Sequence, residues 1–396
     1  MKKKNYEIII CGAGMVGLTL SLLLARKKIH VCVLEKNIKK DLFSQIDSRT
    51  TAISQGSSRI YKEIGIWEKI QSKAQPINKI FVSDGKEDQN LEFNHQTLSE
   101  GPLGFIIENK LIKHTLLDEV LNSKYIDFLD SSEISEIDNK DTNNSFVKTN
   151  DSKISYDLLI AADGRFSKTR FHASIKYFFH DYKQEAFVFN ISHVKKHNGV
   201  ALERFFPTGP MALLPMKSDK TNMSSVVWTV DSRVSRSKSF KENFENEFAK
   251  KYNKFFGELK SISKVNTYPL SIYSCYDYSK KNIVLVGDAC QAIHPIAGQG
   301  FNLGLRDVNC LSEMIYEFKQ VGLEPQSSEL LKKYEKKRIL DKNLLITATH
   351  GLNGLFSSSK RFRTMFRKIG LKVFSKSTFL KNQSMLFAMG LRNLEI

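Results

Sequence analysis

The stretch that decides the fold is residues 282–310, NIVLVGDACQAIHPIAGQGFNLGLRDVNC. Its apolar run 283–286 is long enough for a buried strand, and Asp288 follows where that strand ends. Gly298 and Gly300 then open an apolar-periodic helix, so several backbone N–H groups are left free to meet a ligand. A strand-end carboxylate beside such a helix start can hold a ribose and an electron-rich group. An ordinary strand–loop–helix connection capped by Asp288 fits this stretch equally well.

A second glycine-rich stretch lies near the start of the chain and favours the ligand site. Gly12, Gly14 and Gly17 follow the apolar run 6–11, and Glu35 ends the next strand-like run. This is the dinucleotide fingerprint of strand, glycine turn, helix, strand and acid, in which the acid lies about twenty residues on. The glycines allow a tight turn, close approach of a pyrophosphate and close helix packing, and Glu35 would accept hydrogen bonds from an adenosine ribose. Because an acid there disfavours a 2′-phosphate, the sequence predicts FAD or NAD rather than NADP.

A third strand-end carboxylate lies between these two stretches. Asp163 and Gly164 follow the apolar run 156–161, and basic residues after them are suited to face phosphates. An Asp-Gly pair is also a common turn, so this motif is weak by itself.

Taken together, the motifs resemble those of the single-component FAD-dependent aromatic hydroxylases. The segment HPIAGQGFNLG at 294–304, followed by Asp307, closely resembles the signature of the ubiquinone-biosynthesis branch, the 2-polyprenylphenol hydroxylase type. Further local matches are DSR at 47–49, GIW at 65–67, ERF at 203–205 and GPMALLP at 209–215. Gln291 stands where many relatives in the wider group carry a histidine, and this favours the ubiquinone branch.

The resemblance implies the p-hydroxybenzoate-hydroxylase-like fold, an α/β architecture with a Rossmann-like FAD-binding domain, an inserted antiparallel-sheet substrate domain and a helical C-terminal region. The expected segments are 1–75, 103–180 and 272–335 for the FAD-binding domain, 76–102 and 181–271 for the substrate domain, and 336–396 for the helical region. Independently of the resemblance, a succession of short strand-like runs indicates an antiparallel sheet, at 185–192, 201–206, 211–216 and 224–230.

The resemblance also implies the chemistry. NAD(P)H would bind transiently and reduce FAD, and O₂ would then give a flavin hydroperoxide that hydroxylates the aromatic ring of a polyprenylated phenol in ubiquinone biosynthesis. The flavin carries this chemistry, so no catalytic side chain and no metal is assigned, and His294 is expected to be structural. The implied cofactor-binding residues are Gly12, Gly14, Gly17, Glu35, Arg49, Asp163, Gly164, Gly287, Asp288, Pro295, Gly298, Gly300 and Asn302. The implied substrate-pocket residues are Met211, Leu213 and Pro215.

Composition narrows the classes of partner. Lys and Arg number 60 against 42 Asp and Glu, a net charge of +18, which is typical of proteins that meet nucleic acid or an anionic membrane. A lysine-rich genome explains the same charge, and no nucleic-acid motif accompanies it. The five cysteines are scattered without a CxxC pair, which favours a reducing cytoplasm. His193 and His197 lack further ligands nearby, so no metal site is expected.

The C-terminal region carries a candidate membrane contact. Phe362, Phe366, Ile369 and Val373 follow helical spacing, with basic residues on the other sides. A helix packed on its own protein explains the same pattern and is the commoner case. The expected location is therefore cytoplasmic. Further predictions are peripheral contact at the inner face of the cytoplasmic membrane or association with a ubiquinone-biosynthesis complex.

Two other functions stay open on sequence grounds. One is hydroxylation of a small soluble aromatic compound, which would require a compact polar pocket. The other is a non-catalytic FAD-binding assembly protein, against which the intact motifs argue. The apolar run that begins at Met211 favours the polyprenylated phenol over the small soluble substrate.

Overall fold

A computed structural model describes residues 4–44, 47–83, 91–150, 152–219, 221–252, 255–295, 298–356 and 377–391. Three sheets organise the chain, and helices cover the first of them. The helices are α1 (Met15–Arg26), α2 (Lys39–Ser44), α3 (Gln55–Glu63), α4 (Trp67–Ile70), α5 (Asn109–Leu121), α6 (Lys168–His172), α7 (Ser232–Ser235), α8 (Lys238–Glu242), α9 (Phe244–Tyr252), α10 (Gln299–Gln320), α11 (Ser328–Phe356) and α12 (Thr378–Ala388).

The first sheet contains the dinucleotide fingerprint. Its strands are β1 (Lys4–Cys11), β2 (Val31–Leu34), β8 (Ile126–Leu129), β9 (Ile134–Asp138), β10 (Phe146–Thr149), β11 (Lys153–Ala161), β18 (Ser279–Lys280) and β19 (Ile283–Leu285). The order β18-β19-β11-β1-β2-β8 is parallel from β19 to β8. The middle strand β1 is buried on both faces by α1 and its neighbours, which is why it reads as a run of isoleucines. The parallel strands align their carboxyl ends, so Gly12, Glu35, Asp163 and Gly287 come to one edge.

The second sheet has the order β20-β17-β12-β15-β14-β13-β5-β6, with β16 beside β12. Its strands are β5 (Lys79–Ser83), β6 (Leu91–Asn94), β12 (Tyr177–His193), β13 (Val200–Phe206), β14 (Gly209–Met216), β15 (Asn222–Asp231), β16 (Leu259–Ile262), β17 (Asn266–Cys275) and β20 (Gln291–Ala292). All pairs are antiparallel except β13 with β5. The predicted fold class is therefore confirmed. The domain boundaries stay a prediction, and both β12 and β17 run across them.

The two faces of the second sheet pack against different partners. One face carries an aromatic core that includes Trp228 and Phe187 and is covered by Phe240 and Phe248 of α8 and α9. The other face packs on the third sheet, whose order is β3-β7-β4 with strands β3 (Thr50–Ser54), β4 (Gln75–Ile77) and β7 (Gly104–Glu108). The second sheet thus lies over the side of the molecule that carries β3 and the start of α10.

Two pairs of helices follow each other after short breaks. Helices α3 and α4 are separated because Gly65 takes a left-handed φ of +73° that ends the first of them. Helices α8 and α9 are separated at Asn243. Helices α11 and α12 agree with the predicted helical C-terminal region. The apolar face predicted from Phe362 to Val373 lies outside the described residues.

Candidate cofactor and substrate site

The glycine turn after β1 is fixed by backbone packing. Gly12 has a φ of +101°, and a Cβ on it would lie 2.7 Å from the carbonyl oxygen of Ala162. A Cβ on Gly17 would lie 2.1 Å from the carbonyl oxygen of Gly12, so α1 packs on the turn more closely than any other residue permits. These two glycines build the turn, as the fingerprint predicts.

Gly14 differs from these two glycines, because nothing lies within 4 Å of the position its Cβ would take. It is the N-cap of α1, where no side chain caps the helix and no acid occupies the first turn. The free N–H groups and the positive end of the α1 dipole therefore face open space. A pyrophosphate fits there in both charge and room.

Glu35 is held rigidly at the carboxyl end of β2. Its Oε2 accepts a hydrogen bond from the Ala13 amide at 2.8 Å, and Oε1 accepts from the amide and side chain of Asn37 at 2.9 and 2.7 Å. A carboxylate has about four lone-pair sites, so the three bonds leave it able to accept from a ribose hydroxyl. The side chain is only 7% exposed, which fixes its orientation beside the turn.

Asp163 has one carboxylate oxygen without a partner. Its Oδ2 accepts from the amide and hydroxyl of Thr169, both at 3.0 Å. Its Oδ1 is buried and bonds to nothing in the described part of the chain. Gly164 follows with a φ of +78° and open space where a Cβ would be. An orphaned buried acceptor beside the glycine turn is the feature expected where a cofactor supplies the missing donor.

Asp288 lies at the end of β19. It is exposed, although Gly287 and Ala289 on either side are buried. Desolvation by the surrounding protein nevertheless raises the pKa of Asp288, with the positive charge of Arg165 opposing the shift. The Tyr273 hydroxyl donates to the Asp288 carbonyl and fixes the turn. The carboxylate is accessible, as a ribose or ribityl ligand requires.

A buried ion-pair network anchors this turn from behind. The sequence motifs included Asp307 and Gln291 but gave no sign of Arg338, the partner of Asp307. Asp307 accepts from the Gly287 amide at 3.1 Å and from Gln291 Nε2 at 2.8 Å through one oxygen, and from Arg338 Nε at 2.7 Å through the other. Arg338 also pairs with Asp341 at 2.8 Å. Asp307 lies on α10 and Arg338 on α11, so two helices hold the turn that carries Asp288. Gln291 thereby has a structural role.

Asn302 joins the start of α10 to β3. Its Oδ1 accepts from the Ser54 amide at 2.9 Å, and its Nδ2 donates to the carbonyls of Ala52 at 2.9 Å and Gly298 at 3.1 Å. Gly298 caps α10 with a φ of +60° and donates its amide to the Pro295 carbonyl at 3.1 Å. Both polar atoms of the Asn302 side chain are therefore hydrogen-bonded to backbone groups. Pro295, Gly298 and Gly300 lie together where α10 begins.

The remaining predicted cofactor-binding residue, Arg49, lies directly before β3. Arg49 forms a bidentate ion pair with Asp47, in which Nε and Nη2 donate to the two carboxylate oxygens at 2.8 and 2.7 Å. Its guanidinium carbon lies 5.6 Å from the centre of the Tyr268 ring. Arg49 therefore lies between the start of β3 and Tyr268 of the second sheet.

His294 is completely buried. Its Nε2 lies 3.2 Å from Gln184 Oε1, and its ring meets the edge of the Tyr182 ring at 5.0 Å between centres. Burial, with a smaller contribution from His350, lowers the pKa of His294 to about 3, so the imidazole is neutral at physiological pH. Its Nδ1 is buried without a hydrogen-bond partner among the described residues, and the structural role of this histidine stays a prediction.

The substrate-pocket prediction is wrong for two of its residues. Met211 and Leu213 are 0% and 1% exposed, and both belong to the aromatic core beneath α8 and α9. Because side chains alternate along a strand, it is Leu214 and Met216 that face the third sheet and Ala52. The apolar run of β14 is buried on both faces, so its pattern could not tell which side faces the cofactor. Pro215 is buried in the same strand.

The fold and the site define a class. A Rossmann-like sheet, an open α1 N-terminus, a buried acid at the end of β2 and a second sheet over the start of α10 are the parts of an FAD-dependent monooxygenase. Comparison with solved structures agrees on the fold: the crystal structure of p-nitrophenol 4-monooxygenase PnpA from Pseudomonas putida DLL-E4 matches with a TM-score of 0.81. It is 15% identical in sequence, and the match covers 99% of this chain and 100% of that one.

Sequence comparison narrows the class. The model of the FAD binding domain family matches residues 5–347. Ubiquinone hydroxylase UbiL of Rhodospirillum rubrum is 31% identical over 390 residues, which cover 98% of this chain and 90% of that protein. The 3-demethoxyubiquinol 3-hydroxylase of Escherichia coli is 27% identical, with 99% and 100% covered. The chain belongs to the FAD binding domain family and, within it, to the FAD-dependent aromatic hydroxylases of ubiquinone biosynthesis.

Proposed function

We propose that this protein hydroxylates the aromatic ring of a polyprenylated phenol in ubiquinone biosynthesis, with NAD(P)H as electron donor and O₂ as oxygen source. The observation that carries the proposal is the similarity to UbiL along 98% of the chain, together with a cofactor site whose residues fit FAD. Bound FAD supplies the activation of O₂ and the transfer of one oxygen atom to the ring.

The protein's own part in this reaction is to bind and orient. The open α1 terminus at Gly14 and the unpartnered Asp163 oxygen would hold the pyrophosphate end, and Glu35 the adenosine ribose. Asp288, fixed by the Asp307 network, would hold the ribityl chain. The residues where α10 begins would position the reactive ring beneath the second sheet.

The sequence has no separate nucleotide-binding motif for the electron donor. The sequence contains a single GxGxxG fingerprint, which the FAD site uses, so NAD(P)H would bind transiently at the open side of the flavin.

The substrate's polyprenyl tail places the reaction at a membrane surface. Each buried CH₂ of such a chain favours the bilayer by about 0.8 kcal/mol, so the substrate resides there and the enzyme must approach it. Among the described residues, no helix combines the length and apolarity needed to cross a membrane. The net charge of +18 suits contact with the anionic inner face of the cytoplasmic membrane.

The decisive test is the quinone profile of cells that lack the gene, measured by mass spectrometry of lipid extracts. We expect loss of ubiquinone and accumulation of one under-hydroxylated polyprenyl-phenol, whose structure also identifies the ring carbon. The wild-type gene should restore the profile, and a Gly14→Val variant, which fills the pyrophosphate space, should not. An unchanged quinone pool in a strain without a paralogue would refute the proposal and direct the search to soluble aromatic substrates.

A further inference from the structure

One row of residues crosses the second sheet on a single face and contains one ionisable group. The row runs through directly paired positions of five strands, namely Val188 of β12, Val227 of β15, Ala212 of β14, Glu203 of β13 and Val82 of β5. Residues paired in this way across neighbouring strands point to the same side of a sheet. The side chain of Glu203 therefore shares its surface with small apolar residues.

This row faces the cofactor side of the molecule. The sequence neighbours Phe187, Trp228, Met211 and Leu202 all point the other way, into the aromatic core. In the next row on the same face, Ala201 and Leu214 pack in one cluster with Ala52 of β3. Ala52 lies directly against Gly298, since a Cβ on that glycine would be 3.2 Å from the Ala52 Cβ. Glu203 is thus on the face that covers the start of α10.

Four of the five side chains in this row are accessible to solvent in part. Glu203, Val188, Val227 and Val82 are each partly exposed. By contrast, Ala201 and Phe205, which flank Glu203 on the same face of β13, are each 3% exposed. Partly exposed apolar side chains beside a single acid form a surface that an aromatic ring with an isoprenoid tail would cover.

The Glu203 carboxylate has no protein partner that would explain it. Within the described residues it makes neither a hydrogen bond nor an ion pair, and the charged neighbour Arg204 points to the other face, where it donates to the Lys251 carbonyl. The flanking side chains Ala201, Phe205, Leu214 and Ala212 carry no charge. Burial raises the pKa of Glu203 to about 7. A lone acid in apolar surroundings is costly unless a ligand uses it.

We propose that Glu203 binds the ring hydroxyl of the substrate and accepts its proton. This inference rests on the proposed phenolic substrate. The phenolic O–H proton passes to a carboxylate oxygen of Glu203, which leaves the electron pair on the phenolic oxygen and makes the ring richer in electrons for oxygen transfer. The carboxyl group then releases the proton to solvent. A general base whose pKa lies near the working pH is best suited to this step.

The test compares Glu203→Gln and Glu203→Leu with wild type as FAD-loaded proteins. The probes are a phenol that carries one short isoprenyl group and the methyl ether of the same phenol. Binding is followed by the flavin absorbance change, and hydroxylated product is measured as a function of pH. Glu92→Gln serves as control, because this acid of the same sheet forms an exposed ion pair with Lys79.

We expect wild type and the control to bind the phenol at least about tenfold more tightly than the ether, and Glu203→Leu to lose this preference. The glutamine of Glu203→Gln still accepts a hydrogen bond, so the affinity for the phenol should change less than the hydroxylation rate. The rate should fall on the order of 10²–10⁴-fold, and its pH dependence near pH 7 should disappear.

The outcomes separate the two proposals. If wild type oxidises NAD(P)H without hydroxylating the phenol, the proposed function fails, and the binding comparison alone decides on Glu203. If Glu203→Leu keeps the preference for phenol over ether, the inference is overturned. A Glu203→Gln variant with the rate and pH profile of wild type would overturn the proton transfer.

Discussion

Replacing Asp307 by asparagine should detach the turn that carries Asp288. The asparagine side chain has one acceptor oxygen where the carboxylate has two, and these two now receive three donors, from Gly287, Gln291 and Arg338. The side-chain NH₂ group of the asparagine would then lie close to another hydrogen-bond donor, and neither could bond the other. Breaking a buried pair by removing one charge costs about 3–5 kcal/mol. Because Arg338 keeps its second partner Asp341, we expect the lower end, about 3 kcal/mol.

The assay is urea unfolding of the cofactor-free protein, followed by FAD titration of each variant. Asp231→Asn is a matched control, since Asp231 also bonds an arginine through two contacts, but that arginine is 90% exposed. The control should unfold at the wild-type urea concentration. Asp307→Asn should lose about 3 kcal/mol and bind FAD at least about tenfold more weakly. A loss below about 1 kcal/mol with wild-type FAD affinity would refute the role assigned to the network.

Further changes test the glycine turn and the buried ionisable groups. Gly14→Ala should leave the unfolding free energy of the cofactor-free protein near wild type while weakening FAD binding. Gly17→Ala should destabilise the fold itself, because its Cβ would lie 2.1 Å from a backbone oxygen. Equal urea midpoints for the two variants would contradict this. The pKa of His294 is lowered to about 3, so its stabilising contribution is lost as pH falls below the unfolded value of about 6.5. Wild type should therefore lose about 1.4 kcal/mol per pH unit more than His294→Gln between pH 6 and 4, and parallel stability curves would argue against a buried neutral imidazole. The pKa of Glu203 is raised to about 7, so its contribution is present below about pH 4 and lost as pH rises through 7. Glu203→Gln should raise the melting temperature at pH 8 and leave it unchanged at pH 4, and the reverse pattern would exclude a desolvated carboxylate.

Local patterns predicted residues that the structure brings to one edge of the first sheet. The glycine turn, Glu35 and the strand-end residues Asp163 and Asp288 share this edge because the carboxyl ends of parallel strands are aligned. Their role in binding the cofactor stays a prediction. The glycines could be predicted since their roles depend on backbone geometry within a few residues. The strand positions in both large sheets followed from apolar runs of strand length.

Predictions that depended on which way a side chain points were less reliable. The run at 209–215 reads as a strand, but both of its faces are buried, so the pattern assigned Met211 and Leu213 to the wrong side. For Asn302 the motif predicts a cofactor-binding position, and only the structure shows that its side chain bonds three backbone groups. A sequence motif marks an important position without stating what the side chain touches.

The sequence by itself determined the class of fold, the cofactor and the enzyme family, because these depend on short motifs whose chemistry is local. Only the tertiary structure decided which face of the second sheet packs on β3, which residues anchor Asp288, and that Glu203 lies among partly exposed apolar side chains. These features arise from contacts between segments far apart in the chain, such as Asp307 with Arg338 and Ala52 with Gly298. Such contacts depend on strand register and on packing, and neither can be predicted from the residue spacing within one segment.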